Sequence, residues 1–349
     1  MKYFLLIPIL FPIICGFGLL LSKNLGSRSR NILVASVTIA TSLLTFAALY
    51  FFTEKLTLIK FGEHLVISFS VDGLSVFFAL IASVLWPPAT FFAFEYMKHE
   101  GNESRFFGFW LMSFGVTIAV AFSANPLTMY LFYELLSLST LPLVMHAMNA
   151  KSRYAGRNYL LFSMGGAALA FVSLIFLIES GADTSFILGG FLGNYDGGSF
   201  YLYSVVFIFG FIGYGVKAAI FPFSKWLVDA SVAPTPVTAL LHAVAVVKAG
   251  IFAVIRLTWY SFGVAKLYGS FAQDVVLFFS AFTVLFGSYM ALRTPHFKKR
   301  LAYSTVSNLS YMLIAVALMT GSALNAALMH MMFHALAKIV LFCCAGAVF

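Results

Sequence analysis

Residues 217–252 read KAAIFPFSKWLVDASVAPTPVTALLHAVAVVKAGIF, and this stretch decides the fold. Three prolines interrupt an otherwise apolar run, because proline removes a backbone donor and disfavours helix in the residue before it. Lys217 and Lys248 lie in apolar surroundings near its two ends. Irregular backbone at membrane depth is tolerated only inside protein or beside water. The stretch therefore predicts a discontinuous helix next to a polar cavity; an ordinary cytoplasmic loop is the alternative.

The composition places this stretch in a membrane. Of 349 residues, 62% are hydrophobic and 9% are charged, with a mean hydropathy of +0.98, whereas a soluble domain carries roughly 25% charged residues. The chain therefore predicts an all-α polytopic membrane protein. Eleven apolar runs approach the roughly 20 residues that span a bilayer, at residues 4–21, 31–52, 72–97, 106–123, 126–147, 158–179, 201–221, 236–260, 275–292, 301–320 and 324–349.

Lysine and arginine in the loops indicate the orientation, because positively charged loops stay on the cytoplasmic side. With the N-terminus outside, the outer loops keep only Lys55, Lys60 and Lys266. The cytoplasmic loops then hold Lys23, Arg28, Arg30, Lys98, Arg105, Lys151, Arg153, Arg157, Lys225, Arg293, Lys298, Lys299 and Arg300. The net charge of +9 is thus a topology signal, and we expect no nucleic-acid partner, which would need a continuous basic surface. We expect a multi-pass protein of a prokaryotic cell membrane.

The sequence contains no signal for a cofactor of its own. Cys15, Cys343 and Cys344 all lie inside apolar runs, and no CxxC or Cys/His metal spacing is present. We interpret the cysteines as small packing residues. We therefore expect no metal and no cofactor in this chain.

Four charged side chains interrupt the apolar runs: Glu134, Lys217, Lys248 and Lys338. Such a group costs roughly 2.5–3.5 kcal/mol near the bilayer centre on insertion scales, unless it faces the bundle interior or water. Both signs are present, which favours a charge or proton pathway. Desolvation favours the neutral form of each group and a nearby opposite charge favours the charged form, so a moving neighbour can switch it. A structural ion pair is the alternative for Glu134, and snorkelling to the interface is the alternative for the lysines.

A titratable stripe lies in the last run, within MHMMFHALAKIVLF. His330, His334 and Lys338 follow one another in steps of four, so they share one face of a helix. We interpret them as a proton path. A metal site is the alternative, but no carboxylate lies nearby and no HEXXH motif is present. His242 precedes Lys248 by six residues, and its near-neutral titration suits a bridge between slower donors.

Three further charges lie near the ends of runs. Asp72, in SVDGLSVFF, can cap the third helix, and Asp229, in KWLVDAS, is expected to pair with a cation or to cap the restarted helix. Both are weak, supporting candidates for proton transfer. Arg256 lies near the outer boundary, where we expect it to snorkel.

These motifs resemble one family. The stretch 217–252 is similar to the signature of antiporter-like subunits of respiratory complex I, membrane-bound hydrogenases and Mrp-type multisubunit Na+/H+ antiporters. VDGLS, YELLSLSTLPL, KKRLAYSTVSNLSYM and HMMFHALAKIVLF resemble the same family in the same order, from about Asp72 to the end. The resemblance implies inverted five-helix repeats with a discontinuous seventh helix. Residues 1–105 would form three N-terminal helices, 106–260 the first repeat and 275–349 part of the second.

The resemblance also implies roles for individual residues. It implies proton transfer through Glu134, Lys217, His242, Lys248, His330, His334 and Lys338. Val228 departs from the family, which has proline after its WL pair, and Ser224-Lys225 stands where the family has His or another polar residue. The family core continues to a second broken helix with another Lys or Glu. We therefore expect the second repeat to be truncated and the chain to belong to a longer protein; a subunit with an unusual second half-channel is the alternative.

The function implied is proton translocation by the antiporter-like subunit of a complex I-like, redox-driven membrane complex. The chain would be a non-redox subunit of a translocase such as NADH:quinone oxidoreductase. Iron–sulfur, flavin, nickel or quinone groups would belong only to partner subunits. The expected partners are other membrane subunits, including further antiporter-like ones, together with lipid, protons and, in one alternative, Na+. That alternative is an Mrp-type antiporter without redox partners; a second is a membrane scaffold that anchors a peripheral enzyme.

Overall fold

The computed structural model describes residues 2–22, 25–51, 54–62, 65–180, 183–193 and 199–348. The chain is mainly helical, as predicted. Its helices are α1 (Ile7–Leu21), α2 (Ser27–Phe51), α3 (Gly73–Tyr96), α4 (Glu103–Phe122), α5 (Pro126–Val144), α6 (Ala150–Glu179), α7 (Phe200–Gly215), α8 (Lys225–Asp229), α9 (Thr235–Ala243), α10 (Val246–Ile255), α11 (Val264–Leu267), α12 (Phe271–Arg293), α13 (Phe297–Ala317) and α14 (Gly321–Val348). Lys23, in a predicted basic loop, and Phe52 and Phe349, at the ends of predicted runs, lie outside the described residues.

Nine helical stretches within the described residues are long and apolar enough to cross a bilayer. All eleven predicted runs fall on helices, but α7 has only 16 residues and α13 is not among the nine. The count of eleven spans therefore stays a prediction. The stretch Thr235–Phe262 is the most deeply buried, so the other helices pack around it.

Polar side chains mark where five of the helices begin. Asp72, Asn125, Asn149, Ser199 and Ser270 precede α3, α5, α6, α7 and α12, and each accepts a hydrogen bond from a backbone N–H of the first turn. These caps satisfy donors that have no partner within the helix. The predicted cap at Asp72 is confirmed.

A short β-hairpin lies in the connection between α2 and α3. Strands β1 (Leu56–Lys60) and β2 (Val66–Phe69) are antiparallel, with Leu56 opposite Phe69. The side chain of Asn125, at the start of α5, donates to the Val66 carbonyl at 2.7 Å and to the Ser68 hydroxyl at 2.9 Å. The hairpin is thus attached to the start of α5. Strands of five and four residues are too short to be distinguished from loop by pattern alone.

The helices in and around the stretch 217–252 are interrupted at more points than its three prolines predict. α7 ends at Gly215, turns follow, and the five-residue α8 begins at Lys225, so the predicted discontinuous seventh helix is present. The run 236–260 was expected to be one helix but is two. The N–H groups of Val244 and Ala245 both bond to the Leu240 carbonyl, and regular bonding resumes only with Ala249. A π-helical turn, Arg256–Phe262, then follows α10.

Candidate functional site

Glu134 and Lys217 form an ion pair in the interior. Lys217 Nζ lies 3.0 Å from Glu134 Oε1, with the lysine side chain 1% exposed and the glutamate 23% exposed. The ammonium also donates to the Tyr133 carbonyl and lies 3.2 Å from the centroid of the Tyr133 ring. The Tyr133 hydroxyl donates to the Tyr214 carbonyl at 2.9 Å. A carboxylate, a carbonyl and an aromatic face therefore replace water around one buried cation.

The break after α7 is what carries Lys217 to this position. Trp226 Nε1, from α8, donates to the Val216 carbonyl at 2.8 Å, and Thr283 Oγ1, from α12, accepts from the Phe221 N–H at 2.9 Å. These bonds satisfy backbone groups that the end of the helix leaves without partners. α10 packs directly against the same turn through Gly250, where a Cβ would lie 2.6 Å from the Ala218 nitrogen.

A second cluster forms around Lys248, on α10. Its Nζ lies 2.8 Å from His334 Nδ1, on α14, and 3.8 Å from Met312 Sδ, on α13. Both Lys248 and His334 are buried. The Lys248 amine and His334 Nδ1 thus meet in the core as a proton donor and an acceptor. His334 Nε2 is left without a hydrogen-bond partner among the described residues.

The stripe on α14 contacts α13 at both ends. His330 Nε2 lies 3.1 Å from Asn308 Oδ1, and the His330 and His334 rings are 6.1 Å apart. Lys338 Nζ donates to the Leu301 carbonyl at 3.1 Å and to Ser304 Oγ at 3.0 Å. The common face predicted for His330, His334 and Lys338 therefore lies against α10 and α13.

His242 belongs to the same cluster but has no partner. Its side chain is fully buried, its ring lies 4.7 Å from the Phe342 ring, and neither ring nitrogen has a hydrogen-bond partner within the described residues. Phe342 follows Lys338 by one turn on α14, so His242 lies beside the stripe. A buried imidazole without a partner is unusual and marks a position that can take up water or a moving polar group.

α10 stands between the two groups of charges. Gly250 faces the backbone of Lys217, and Lys248, two residues earlier and so about 200° around the helix, faces Met312 and His334. No hydrogen bond or ion pair joins Lys217 to Lys248 in the described part of the chain. The structure therefore brings Glu134 to Lys217, and Lys248 to the α14 stripe, but leaves the two groups separate.

Arg256 does not snorkel, so that expectation is wrong. The side chain is 1% exposed and pairs with Asp72, 33% exposed, through Nη1–Oδ2 at 2.5 Å and Nη2–Oδ1 at 2.8 Å. The rings of Phe186, Phe252 and Tyr260 lie 4.5–5.0 Å from its guanidinium carbon. Burial by itself raises the pKa of the Asp72 carboxyl, but hydrogen bonds and attraction from Arg256 outweigh it, and the pKa lies below its ordinary value.

Asp229 ends α8 and makes no side-chain cap on the turn that follows, so the capping alternative is wrong. Its Oδ2 instead accepts from Asn158 Nδ2 at 2.8 Å. The carboxylate lines a cavity of about 380 Å³ together with Lys151, Tyr154 and Lys299. The two lysines provide a cationic environment, without an ion pair to Asp229 among the described residues.

The sequence did not predict the residues that contact the buried charged and titratable groups, namely Tyr133, Asn308, Met312, Ser304 and, as the partner of Asp72, Arg256. Of these, Arg256 carried a signal, because a second charge of opposite sign, Asp72, also lies near the end of an apolar run. Tyr133 acts through its backbone carbonyl and its ring face, and no side-chain pattern predicts that use.

A match to a known protein family identifies the family of this chain. A family described as NADH:quinone oxidoreductase/Mrp antiporter, transmembrane, matches residues 123–349. The chain belongs to this family. A second match, to the N-terminus of chain 5 of NADH-ubiquinone oxidoreductase (complex I), covers residues 59–107 of this antiporter-like subunit. The resemblance stated from the motifs is confirmed.

Relatives and solved structures agree with this assignment. The "Putative antiporter subunit mnhA2" of Staphylococcus epidermidis is 34% identical over 296 residues, covering 80% of this chain and 36% of that protein. Its counterpart in Staphylococcus haemolyticus is 33% identical over 299 residues, covering 81% of this chain and 36% of that protein. This antiporter-like subunit therefore spans about a third of the length of these curated relatives.

Two solved complexes contain the same fold. One is the membrane-bound sulfane sulfur reductase, an archaeal respiratory membrane complex, with a TM-score of 0.86 at 20% identity over 99% of this chain and 71% of that one. The other is the Mrp complex from Dietzia sp. DQ12-45-1b, with a TM-score of 0.87 at 22% identity over 99% of this chain and 37% of that one. Both likenesses extend over nearly the whole of this chain and show that it shares their fold.

Proposed function

We propose that this chain moves protons through the membrane as an antiporter-like subunit of an Mrp-type cation/proton antiporter complex. The observation that carries the proposal is the ion pair of Glu134 and Lys217 beside a helix break, because a buried pair of this kind can store or release a proton when it separates. The names of the relatives favour the Mrp type over the redox-driven complex expected from the sequence. The other membrane subunits would be its partners.

Separation of Glu134 from Lys217 would control proton affinity. Two unit charges about 3 Å apart attract by about 5.5 kcal/mol at an effective dielectric of about 20, and solvent at the partly exposed glutamate reduces this attraction. Loss of the attraction favours release of the Lys217 proton. The turn after α7 provides the moving element, since it is not held by a continuous helix. A proton leaving Lys217 would then cross α10 toward Lys248.

The Lys248–His334 contact would carry the next step. When the Lys248 ammonium donates to Nδ1, the neutral imidazole holds its own proton on Nε2, the atom that lacks a partner. Transfer of the ammonium proton to Nδ1 leaves a neutral amine and an imidazolium. Release of the Nε2 proton toward His330 or Lys338 restores the neutral ring. His242, whose ring nitrogens also have no hydrogen-bond partner among the described residues, would bridge Lys248 and Lys338. Asp72 and Asp229 remain supporting candidates.

The test is proton transport by the complete complex in sealed vesicles carrying Glu134→Gln or Lys217→Ala. We expect each change to abolish transport while the complex still assembles. Glu95→Gln and Lys98→Ala are the matched controls, because they remove an exposed Glu–Lys pair at 2.6 Å. Wild-type transport by the Glu134 and Lys217 variants would overturn the mechanism and favour a scaffold role.

A redox-driven complex is the second candidate, supported by the fold shared with the sulfane sulfur reductase complex. Na+-dependent pH changes in vesicles without any redox substrate would favour the Mrp type. Copurification with iron–sulfur or quinone-binding subunits would favour the redox type, and those subunits would hold every cofactor.

We also propose that the chain lies in a prokaryotic cell membrane, with its N-terminus outside. Impermeant labelling of single cysteines placed at Arg28 and Lys60 from each side tests that orientation.

A further inference from the structure

A cavity opens between α12 and α13 beside Lys338. It has a volume of about 470 Å³ and is lined by Ser288, Ala291, Leu292, Arg300, Leu301 and Ser304. Two of these residues also hold the lysine, because Lys338 Nζ donates to the Leu301 carbonyl and to Ser304 Oγ. The buried ammonium thus lies directly behind the cavity wall.

The chemistry of the wall suits water. Two serine hydroxyls and the side chain of Arg300 lie among three apolar side chains, and Ser288 Oγ is 2.8 Å from Ser307 Oγ. The volume is far above the roughly 10–15 Å³ that one water molecule needs. Arg300 places the opening at the end of the helices that carries Lys298, Lys299 and Arg300, here called the basic end.

We propose that this cavity is a water-filled proton entrance from the basic end to Lys338, with Ser304 as the residue that passes the proton. The inference rests on the proposed function, since it supplies the α14 stripe with protons. A hydronium ion in the cavity gives a proton to Ser304 Oγ while the hydroxyl proton moves to the neutral Lys338 amine. One O–H bond breaks in the hydronium and one at Ser304, and one O–H bond forms at Ser304 and one N–H bond at Lys338. The Leu301 carbonyl then stabilises the new ammonium.

This entrance is separate from the region of Glu134 and Lys217. The cavity beside Asp229 is lined by Lys299 and the cavity beside Lys338 by Arg300, and the two cavities share no lining residue. The other titratable groups of the cluster around Lys338 are His330 and His334 on α14, Lys248 on α10 and His242 on α9. Protons can therefore enter this cluster without first crossing α10.

Cysteine accessibility tests the entrance without measuring transport. In the complete subunit, assembled in its complex and freed of its native cysteines, Ser304→Cys is exposed to an impermeant anionic methanethiosulfonate from each side of sealed vesicles. Only the thiolate reacts, so we expect reaction from the basic end within about tenfold of the rate of exposed His296→Cys. Leu285→Cys, on the exposed face of α12, should react at least about a hundredfold more slowly, because lipid disfavours the thiolate.

Transport by three variants tests the role of Ser304. Ser304→Thr keeps a hydroxyl and should retain transport, Ser304→Ala removes the group that passes the proton and should slow transport about a hundredfold, and Ser304→Leu should block it. Absence of labelling from the basic end overturns the entrance. Labelling that appears only when anionic lipid is removed also overturns it and identifies a headgroup site. Normal transport by Ser304→Leu overturns the entrance alone, whereas normal transport by Glu134→Gln overturns the proposed function alone.

Discussion

Gly250 and Lys217 are in direct backbone contact across α10 and the turn after α7. A Cβ at position 250 would lie 2.9 Å from the Lys217 carbonyl carbon and 3.2 Å from the Lys217 Cβ. Real Cβ atoms essentially never approach so closely, so only glycine permits this packing. The contact places the helix that carries Lys248 against the turn that carries Lys217, and any motion of that turn must be accommodated by α10.

We predict that Gly250→Ala destabilises the protein by about 1–3 kcal/mol, the usual range for overpacking. The new methyl group would push the Lys217 turn away from α10 and should also reduce proton transport. Thermal unfolding of the purified complex and transport in vesicles measure both effects. Gly165→Ala is the matched control, because nothing lies within 4 Å of a Cβ there; equal stability of the two variants would contradict the prediction.

Substitutions of His330 and His334, both on α14, should differ in their effect on proton transport. His334→Gln removes the group that meets Lys248, and we expect a loss of about a hundredfold or more, the range of a positioned acid–base residue. His330→Gln removes a less buried ring bonded to Asn308 and should have a smaller effect. Transport rates in vesicles, corrected for the amount of assembled complex, make the comparison. A larger loss for His330→Gln would reverse the order of importance.

The Asp72–Arg256 pair should respond asymmetrically to the loss of either partner. Asp72→Ala leaves the buried guanidinium without its carboxylate and removes the cap of α3, so we expect a loss of stability of about 2–4 kcal/mol. Arg256→Met leaves a carboxylate that is one third exposed and still caps the helix, so its loss should be smaller. A double-mutant cycle by thermal unfolding measures the coupling. A greater loss for Arg256→Met would contradict the asymmetry.

Stability should fall on mild acidification because of His146, just beyond the end of α5. Burial lowers the pKa of this imidazole below its ordinary value of 6.5, the hydrogen bond to the Gly101 carbonyl opposes the shift, and Arg105 reinforces it. Below pH 6.5 the unfolded chain therefore gains a proton that the folded chain resists, and stability decreases until the pH falls through the folded pKa.

The measurement is the unfolding temperature at about pH 7.5 and about pH 5.5. We expect His146→Gln, which keeps a donor for the Gly101 carbonyl, to lose less stability on acidification than the wild type. His296→Gln, at an exposed site between α12 and α13, serves as the control and should retain the wild-type difference. An identical pH response of His146→Gln and the wild type would exclude His146 as the source.

Local chemistry made part of the site predictable. Proline and lysine in the stretch 217–252 indicated the break after α7, and the spacing of His330, His334 and Lys338 indicated their common face. The second break, between α9 and α10, could not be predicted in the same way. Neither proline nor glycine occurs at Val244 or Ala245, and the interruption depends on how the surrounding helices pack.

The amino-acid sequence by itself determined the membrane class, the family and the positions of the buried charges, because hydropathy, proline and helical spacing are local properties. Only the tertiary structure decided which charges meet. Lys217 joins Glu134, Lys248 joins His334 and Arg256 joins Asp72 across 83, 86 and 184 residues of sequence. Each partner is selected by the packing of distant helices and by the need to satisfy a charge away from water, and neither requirement leaves a local pattern.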